Sequence, residues 1–416
     1  QQVNNVELLL TTSTAHLADP SQAPILTYNA QVVGATEAQA IADTTSYPQY
    51  TSSTNYYKAT QLTSFANITW PSVTTSCTAT LIGGGGGSYP GGPNNGGAGG
   101  SVKATINDPE MGGTTWDIMV AGGGYKNATP QLPTGGIGGG GHGVHCQGGG
   151  ASVIFNGEAT IQPGCMVFVN DSGPSPFSNP QGTPSLGPGH GGTATPGSAP
   201  LTVLAVGGGA GDIYAPHTGG SAGDFSQGRR GGDGSQTISS VSYPEGASGG
   251  GGRGPTSPYD PSPTSPSVGA KGSGRTGSTT QAGDGISWPA QYFRGGAAYN
   301  PPSPGQYDMG GGGSGYRGGG DGWNSGVGHS GKSGGGAGYH DTSLVPAPSI
   351  TKDSPVFPSS PINHEAAFKT DIYPTLPASG RTLFDDNAPL VGDGANPTKP
   401  NPINGADGAV FLQFDA

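Results

Sequence analysis

The sequence has 416 residues, of which 83 are glycine and 39 are proline, and it carries a formal net charge of −11. Charged residues make up 10% and hydrophobic residues 31% of the chain, well below their usual shares in a globular domain. The acidic balance argues against a nucleic-acid partner, no stretch of 18 apolar residues predicts a membrane span, and the lack of a Gly-X-Y repeat excludes a collagen helix.

Residues 1–75 have a nearly ordinary composition and are predicted to form an N-terminal β region. Residues 3–12 are strand-like and have no obvious hairpin partner nearby. Two interpretations stay open: the strand is donated to the sheet of an adjacent subunit, or it pairs within its own chain, for instance with residues 31–33 or with the last strand. Residues 35–42 are the one segment with a helical pattern. The candidate assembly residues are Val3, Val6, Leu8, Leu9 and Leu10.

Residues 76–340 contain nearly all of the glycine, and strand-like segments run directly into the glycine blocks. Residues 78–82, 116–120 and 201–206 are each followed at once by glycine or by Ala-Gly. The β-branched and alternating residues at these block edges favour order, although the Gly and Pro content alone is typical of low complexity. Glycine lets backbones approach closely but loses the most conformational freedom on folding, so this much glycine needs cooperative packing.

Residues 341–416 form the third predicted region, which is rich in proline and asparagine. Its last apolar segment, residues 409–414, predicts a closing strand.

The three cysteines allow one disulfide. Cys146 and Cys165 are the preferred pair, because residues 153–161 read as a tight hairpin that brings its flanks together. The alternative is that Cys77, Cys146 and Cys165 are three small buried residues.

Three sequons predict N-glycosylation on surface loops or strand ends, at Asn67, Asn127 and Asn170. The Thr/Ser/Pro-rich segments, the sparse lysine and the opening Gln1 in place of Met point in the same direction. Together they predict a mature secreted glycoprotein, or one on the surface of a cell or virion.

No motif makes a convincing catalytic, cofactor or metal site. Residues 326–333 fit a phosphate-loop pattern, but glycines 334–336 follow where a helix is required. His142, His145 and Cys146 are interpreted as loop residues, and the acidic residues 385–393 as a solvated turn, rather than as metal ligands. We predict no enzyme activity, no cofactor and no metal.

Two segments carry a resemblance to a known family. Residues 81–103 read strand, glycine run, Gly-Gly-Ala-Gly-Gly turn and strand, and a Val-Ala-Gly-Gly-like segment occurs near residues 120–124 and 206–211. This arrangement resembles the glycine-rich domain of anaplastic-lymphoma-kinase-type receptors and the glycine-rich proteins of phage tail fibres and large viruses. The resemblance implies an all-β protein: a β-sandwich framework whose glycine runs form a bundle of polyglycine II helices, with little or no α-helix. No kinase or receptor function carries over.

We therefore expect an extracellular structural glycoprotein, the repeating subunit of a filament or surface appendage whose partner is itself. The first alternative is an adhesin at a fibre tip that recognises a surface glycan. The aromatic residues Tyr299, Tyr307, Tyr316 and Trp323 are either its sugar-stacking platform or caps on the glycine layer. The second alternative is an ice-binding protein, which the lack of a regular threonine repeat disfavours.

Overall fold

The structure is a computed structural model, and it describes part of the chain. The described residues are 5–13, 27–33, 42–45, 50–53, 56–59, 65–88, 96–124, 136, 138–141, 146–157, 202–209, 211, 222, 236–238, 241–243, 286–288, 295, 297–299, 311–316, 334–346, 348–351, 365–396 and 404–415.

Most described residues with regular structure belong to short antiparallel strands. In chain order these are β1 (Asn5–Ser13), β2 (Thr27–Val33), β3 (Ala42–Thr45), β4 (Tyr50–Ser53), β5 (Tyr56–Ala59), β6 (Phe65–Thr69), β7 (Ser76–Ile82), β8 (Ser101–Asn107), β9 (Thr115–Met119), β10 (Ser152–Phe155), β11 (Thr202–Val206), β12 (Gln236–Ile238), β13 (Val241–Tyr243), β14 (Ile286–Trp288), β15 (Ala297–Tyr299), β16 (Tyr339–His340), β17 (Ser349–Thr351) and β18 (Ala409–Asp415). The predicted strands at residues 78–82, 116–120, 201–206 and 409–414 are therefore present, within a residue or two at each end.

Two six-stranded sheets form the framework. Sheet A has the strand order β17-β8-β7-β18-β1-β2, and sheet B has the order β16-β11-β10-β9-β6-β3. The remaining strands form the two-stranded pairs β4–β5, β12–β13 and β14–β15. The prediction of an all-β fold with little α-helix is confirmed.

The main hydrophobic core lies between the two sheets. Sheet A contributes Leu8, Leu81 and Leu412 among others, and sheet B contributes Ile118 and Ile154. Alternation along each strand directs these side chains to the same face, which makes the two sheets a sandwich. Sheet A takes β1 and β2 from the first sequence region, β7 and β8 from the second, and β17 and β18 from the third. The three regions therefore share one core.

A short helical layer covers part of the outer face of sheet A. It consists of a π-helical turn (Phe368–Ile372), a 3-10 turn (Tyr373–Thr375) and helix α1 (Ala378–Asn387). Phe368 and Phe384 pack with Phe411 of β18 in this second core cluster. The sequence did not predict α1, which buries only Gly380, Leu383 and Phe384.

Candidate functional site

The glycine-rich segments continue from the strands at one end of the sandwich. The segments that we name g1 to g9 are residues 83–87, 96–100, 121–124, 147–151, 207–209, 311–315, 334–337, 392–396 and 404–408, and together they form the glycine lattice. Strands β7, β9 and β11 run into g1, g3 and g5, whereas g2, g4 and g9 lead into β8, β10 and β18. The strand registers place all six junctions at the same end of the sandwich.

Segment g1 lies at the centre of this lattice. Its five N–H groups donate in turn to carbonyl groups of g2, g4, g9, g2 and g4, at N···O distances of 2.8–3.0 Å. Three of its carbonyl groups accept N–H groups from g5, g3 and g8, at 2.7–2.9 Å. Segment g1 is thus hydrogen-bonded to six neighbouring segments. The segments that accept its N–H groups repeat every third residue. A threefold extended helix without internal hydrogen bonds requires this period.

The neighbouring segments repeat the same period in both directions. Gly96 and Gly99 donate to Ala395 and Gly392, so g2 and g8 are antiparallel. Segments g6 and g7 are parallel, because Gly313 donates to Gly334 and the residue three further on, Tyr316, donates to Ala337. The described lattice therefore contains both parallel and antiparallel contacts, as a polyglycine II bundle does.

Close approach, and not backbone handedness, explains the need for glycine. Within g1 to g9, only Gly392 has a positive φ, of 71°. A Cβ atom on Gly83, Gly84 or Gly85 would lie 2.0, 2.2 or 1.9 Å from a carbonyl oxygen of a neighbouring segment. No side chain fits at such a distance, so alanine at these positions would separate the segments.

Ser314 is an exception inside g6. Its N–H donates to Gly149 and its carbonyl accepts from Gly208, so its backbone belongs to the lattice. The residue is completely buried, and its hydroxyl oxygen has no hydrogen-bond partner among the described residues. A small side chain is therefore accommodated inside the lattice at this position.

Two polar side chains tie the lattice to the strands. The Ser152 hydroxyl, fully buried, donates to the carbonyl oxygen of Ile82 at 2.7 Å and accepts the N–H of Ala121 at 3.0 Å. It therefore links the end of β7 in sheet A to the start of g3, which follows β9 of sheet B. An Asp407 carboxylate oxygen accepts the N–H of Gly123 at 2.8 Å, which links g9 to g3.

A third polar residue joins the lattice to the helical layer. Asp393 in g8 accepts the N–H of Ala366 at 2.8 Å with one carboxylate oxygen. Its other oxygen forms an ion pair with Lys369 at 2.6 Å. The sequence interpretation of Asp393 as part of a solvated turn is wrong, because the residue is buried and bonded on both oxygens. Ser152 and Asp407 gave no signal in the sequence, because serine and Asp-Gly pairs are also ordinary turn residues.

The opening strand pairs within its own chain. β1 is antiparallel to β18 on one side and to β2 on the other. Val6, Leu8 and Leu10 lie in the main core, and Leu9 packs under the helical layer. The sequence left open whether this strand is donated to another subunit or pairs within its own chain. The structure has the intrachain pairing, with both residues 31–33 and the last strand. Val3 lies outside the described residues.

The two described cysteines, Cys77 and Cys146, are both buried. Cys146 is fully buried, and its predicted bridge partner Cys165 lies outside the described residues, so the bridge stays a prediction. Cys77 in β7 is 1% exposed. Burial raises the pKa of the Cys77 thiol, and a hydrogen bond with the Gln413 backbone opposes this to a smaller extent. Such a thiol is unreactive at neutral pH.

Of the three sequons, the structure describes the one at Asn67. Asn67 is the middle residue of β6, is half-buried, and its amide nitrogen donates to a carboxylate oxygen of Asp117 on β9. The expectation that sequons lie on loops or strand ends is wrong for Asn67. Asn127 and Asn170 lie outside the described residues, and glycan attachment stays a prediction for all three.

The aromatic residues considered as a sugar platform are described only in part. Tyr316 stacks on Tyr339, with ring centroids 4.1 Å apart, and both pack against the outer face of sheet B. This contact favours the cap interpretation for Tyr316. Tyr299 is in β15, and Tyr307 and Trp323 lie outside the described residues.

The acidic residues near position 385 are in a helix and not in a turn, contrary to the sequence interpretation. Asp385 lies in α1 and accepts the Tyr373 hydroxyl with both oxygens, at 2.8 and 2.7 Å, and this hydrogen bond raises the pKa of Tyr373. Within the part of the chain that the structure describes, no three His, Cys, Asp or Glu residues are grouped to hold a metal ion. His142 and His145 lie outside the described residues.

The described helices are also too short and too polar for any of them to cross a membrane. No protein-family model matches the sequence, and comparison with curated proteins finds no match. The resemblance to glycine-rich domains therefore stays a prediction.

Proposed function

We propose that the protein is an extracellular structural glycoprotein, the repeating subunit of a filament or surface appendage. The observation that carries this proposal is the environment of g1, whose five N–H groups are all bonded and which has six neighbouring segments. Material of this kind resists deformation through main-chain hydrogen bonds, which do not depend on side-chain chemistry.

The distribution of side chains supports a mechanical role. The lattice segments consist mainly of glycine, with few ionisable residues such as Asp393 and Asp407, and these bind backbone N–H groups. A catalytic site needs a nucleophile, acid or base beside a space for substrate. The two carboxylates of the lattice instead accept backbone N–H groups of the protein itself.

The extracellular and glycoprotein parts of the proposal depend on the sequence. The sequons, the Thr/Ser/Pro-rich segments and the low share of lysine support them. Self-association is the expected partnership, through main-chain contacts between sheets of neighbouring subunits.

Electron microscopy of the native protein tests the proposal. Filaments with a regular subunit repeat are the expected result, together with a loss of mass after glycosidase treatment. Single particles that bind a glycan array would instead support the adhesin alternative. Single particles that bind no glycan would contradict both functions.

A further inference from the structure

Strand β1 is unsuited to a strand contact between subunits, so such a contact has to use another strand. Both edges of β1 are paired inside the chain, with β18 and β2, so β1 offers no free edge to a neighbour. Within the two six-stranded sheets as described, the outer strands are then the ones that can still pair with a neighbouring subunit. The two sheets have four outer strands, which are β2 and β17 in sheet A and β3 and β16 in sheet B.

β2 is the outer strand least protected against pairing. It has seven residues, Thr27–Val33, without charge, proline or glycine. The other three are shorter: β3 has four residues and carries Asp43, β17 has three and follows Pro348, and β16 has two. Proteins usually protect edges with short strands, charges or proline, and a long neutral edge is a template for another strand. Among the described strands, none pairs with the outer edge of β2.

We propose that the outer edge of β2 in one copy of this chain pairs with the outer edge of β17 in the next copy, so that sheet A continues from subunit to subunit. This inference rests on the proposed function as a filament subunit. Every neighbouring pair in sheet A is antiparallel. With six alternating strands, β17 and β2 run in opposite directions, so a copy added in the same orientation continues the antiparallel pattern.

The contact joins two different surfaces of the subunit. A head-to-tail contact between different surfaces does not close on itself unless its rotation forms a ring, and it otherwise produces a helical filament. With six strands per subunit at about 4.8 Å, the continued sheet predicts an axial repeat of about 29 Å per subunit. The usual sheet twist of about −20 to −25° per strand predicts a rotation of about −120 to −150° per subunit.

Hydrogen exchange of the full-length protein, before and after polymerisation, tests the pairing without any substitution. Alternate amides of a strand point to opposite sides, so the outward amides of β2 that lie opposite the three residues of β17 become protected in the filament by at least tenfold, whereas those of the β3 edge stay unchanged. Equal exchange of the β2 amides in both states would overturn the inference.

Proline variants give an independent test. Ala30 and Gln31 are consecutive, so one of their N–H groups faces β1 and the other faces the outer edge. Of Ala30→Pro and Gln31→Pro, we expect one to lower the thermal stability of the subunit and the other to keep the subunit folded but abolish filament growth. A folded proline variant at each position, both with normal filaments, would contradict the pairing.

High-resolution imaging of the filament separates the remaining outcomes. A β2–β17 ladder with a repeat near 29 Å is expected. Two-fold axes with β2 against β2, or a β1 strand inserted from a neighbour, would overturn this inference and leave the proposed function intact. Absence of any filament would overturn both.

Discussion

The carbonyl oxygen of Gly208 lies 2.0 Å from the position that a Cβ atom on Gly313 would occupy. The same oxygen accepts the N–H of Gly336 at 3.0 Å. A side chain at position 313 would therefore displace a backbone group that already has a hydrogen-bond partner. The contact between these two glycines shows why the lattice tolerates so few other residues.

Gly313→Ala and Ser314→Ala form a matched pair that tests this packing. We expect Gly313→Ala to lower the free energy of unfolding by about 3 kcal/mol or more, because it adds overpacking to the loss of lattice hydrogen bonds. Ser314→Ala removes a buried hydroxyl that has no partner in the described chain, so it should change stability by less than about 1 kcal/mol. Denaturant unfolding measures the free energy of unfolding of both variants. Equal values for the two variants would argue against the close packing of the lattice.

Much of the framework could be predicted from the sequence, because strand-like segments such as residues 78–82 and 409–414 combine apolar alternation with β-branched residues. The pairing of the glycine segments could not be predicted, since g1 and g5 look alike as sequences although g1 is bonded to g3, g8 and g9 and g5 is bonded instead to g6 and g7. Helix α1 was missed because it turns only Leu383, Phe384 and Gly380 toward the sheet, too few apolar residues for a helical period.

Ser152→Ala tests the link between the two sheets. The change removes the hydroxyl between Ile82 and Ala121, and we expect the free energy of unfolding to fall by about 2–4 kcal/mol. Thr80→Val is the control, because Thr80 is equally buried and its hydroxyl has no partner within the described structure. A larger loss for the control than for Ser152→Ala would contradict the bridging role.

Variants of Asp393 test how the helical layer is held to the lattice. Asp393→Ala removes the ion pair with Lys369 and the acceptor for Ala366, and should cost about 2–4 kcal/mol. Asp393→Asn removes the ion pair with Lys369 but keeps an acceptor for Ala366, so it should cost less than Asp393→Ala. Faster hydrogen exchange in residues 365–392, with the sheets unchanged, should accompany the alanine change. Uniform destabilisation of the whole protein would contradict a local role.

Glycan occupancy should differ among the three sequons. The Asn67 amide nitrogen, to which a glycan would be attached, donates to Asp117 in the middle of a sheet. We therefore expect a glycan at Asn67 in a smaller fraction of the molecules than at Asn127 or Asn170, whichever of these two is modified more often. Peptide mass mapping of native protein, with and without glycosidase, measures occupancy at each site. Full occupancy at Asn67 alone would contradict the described position of β6.

Cys77 should give the protein a characteristic loss of stability at alkaline pH. Burial raises the pKa of this thiol in the folded state, so the folded protein keeps the proton that the unfolded chain loses above a pH of about 8.5. The contribution of this raised pKa is fully present below that pH and is lost as the pH rises, with a slope that approaches about 1.4 kcal/mol per pH unit.

Urea unfolding between pH 7 and pH 10 measures the slope, and Cys77→Ala, which has no thiol there, is the control for all other titrating groups. We expect the wild-type stability to fall more steeply than that of the variant, and the Cys77 thiol to react with an alkylating reagent only after unfolding. Parallel pH profiles, or alkylation of Cys77 in the folded protein, would show that β7 does not hold this side chain in the core.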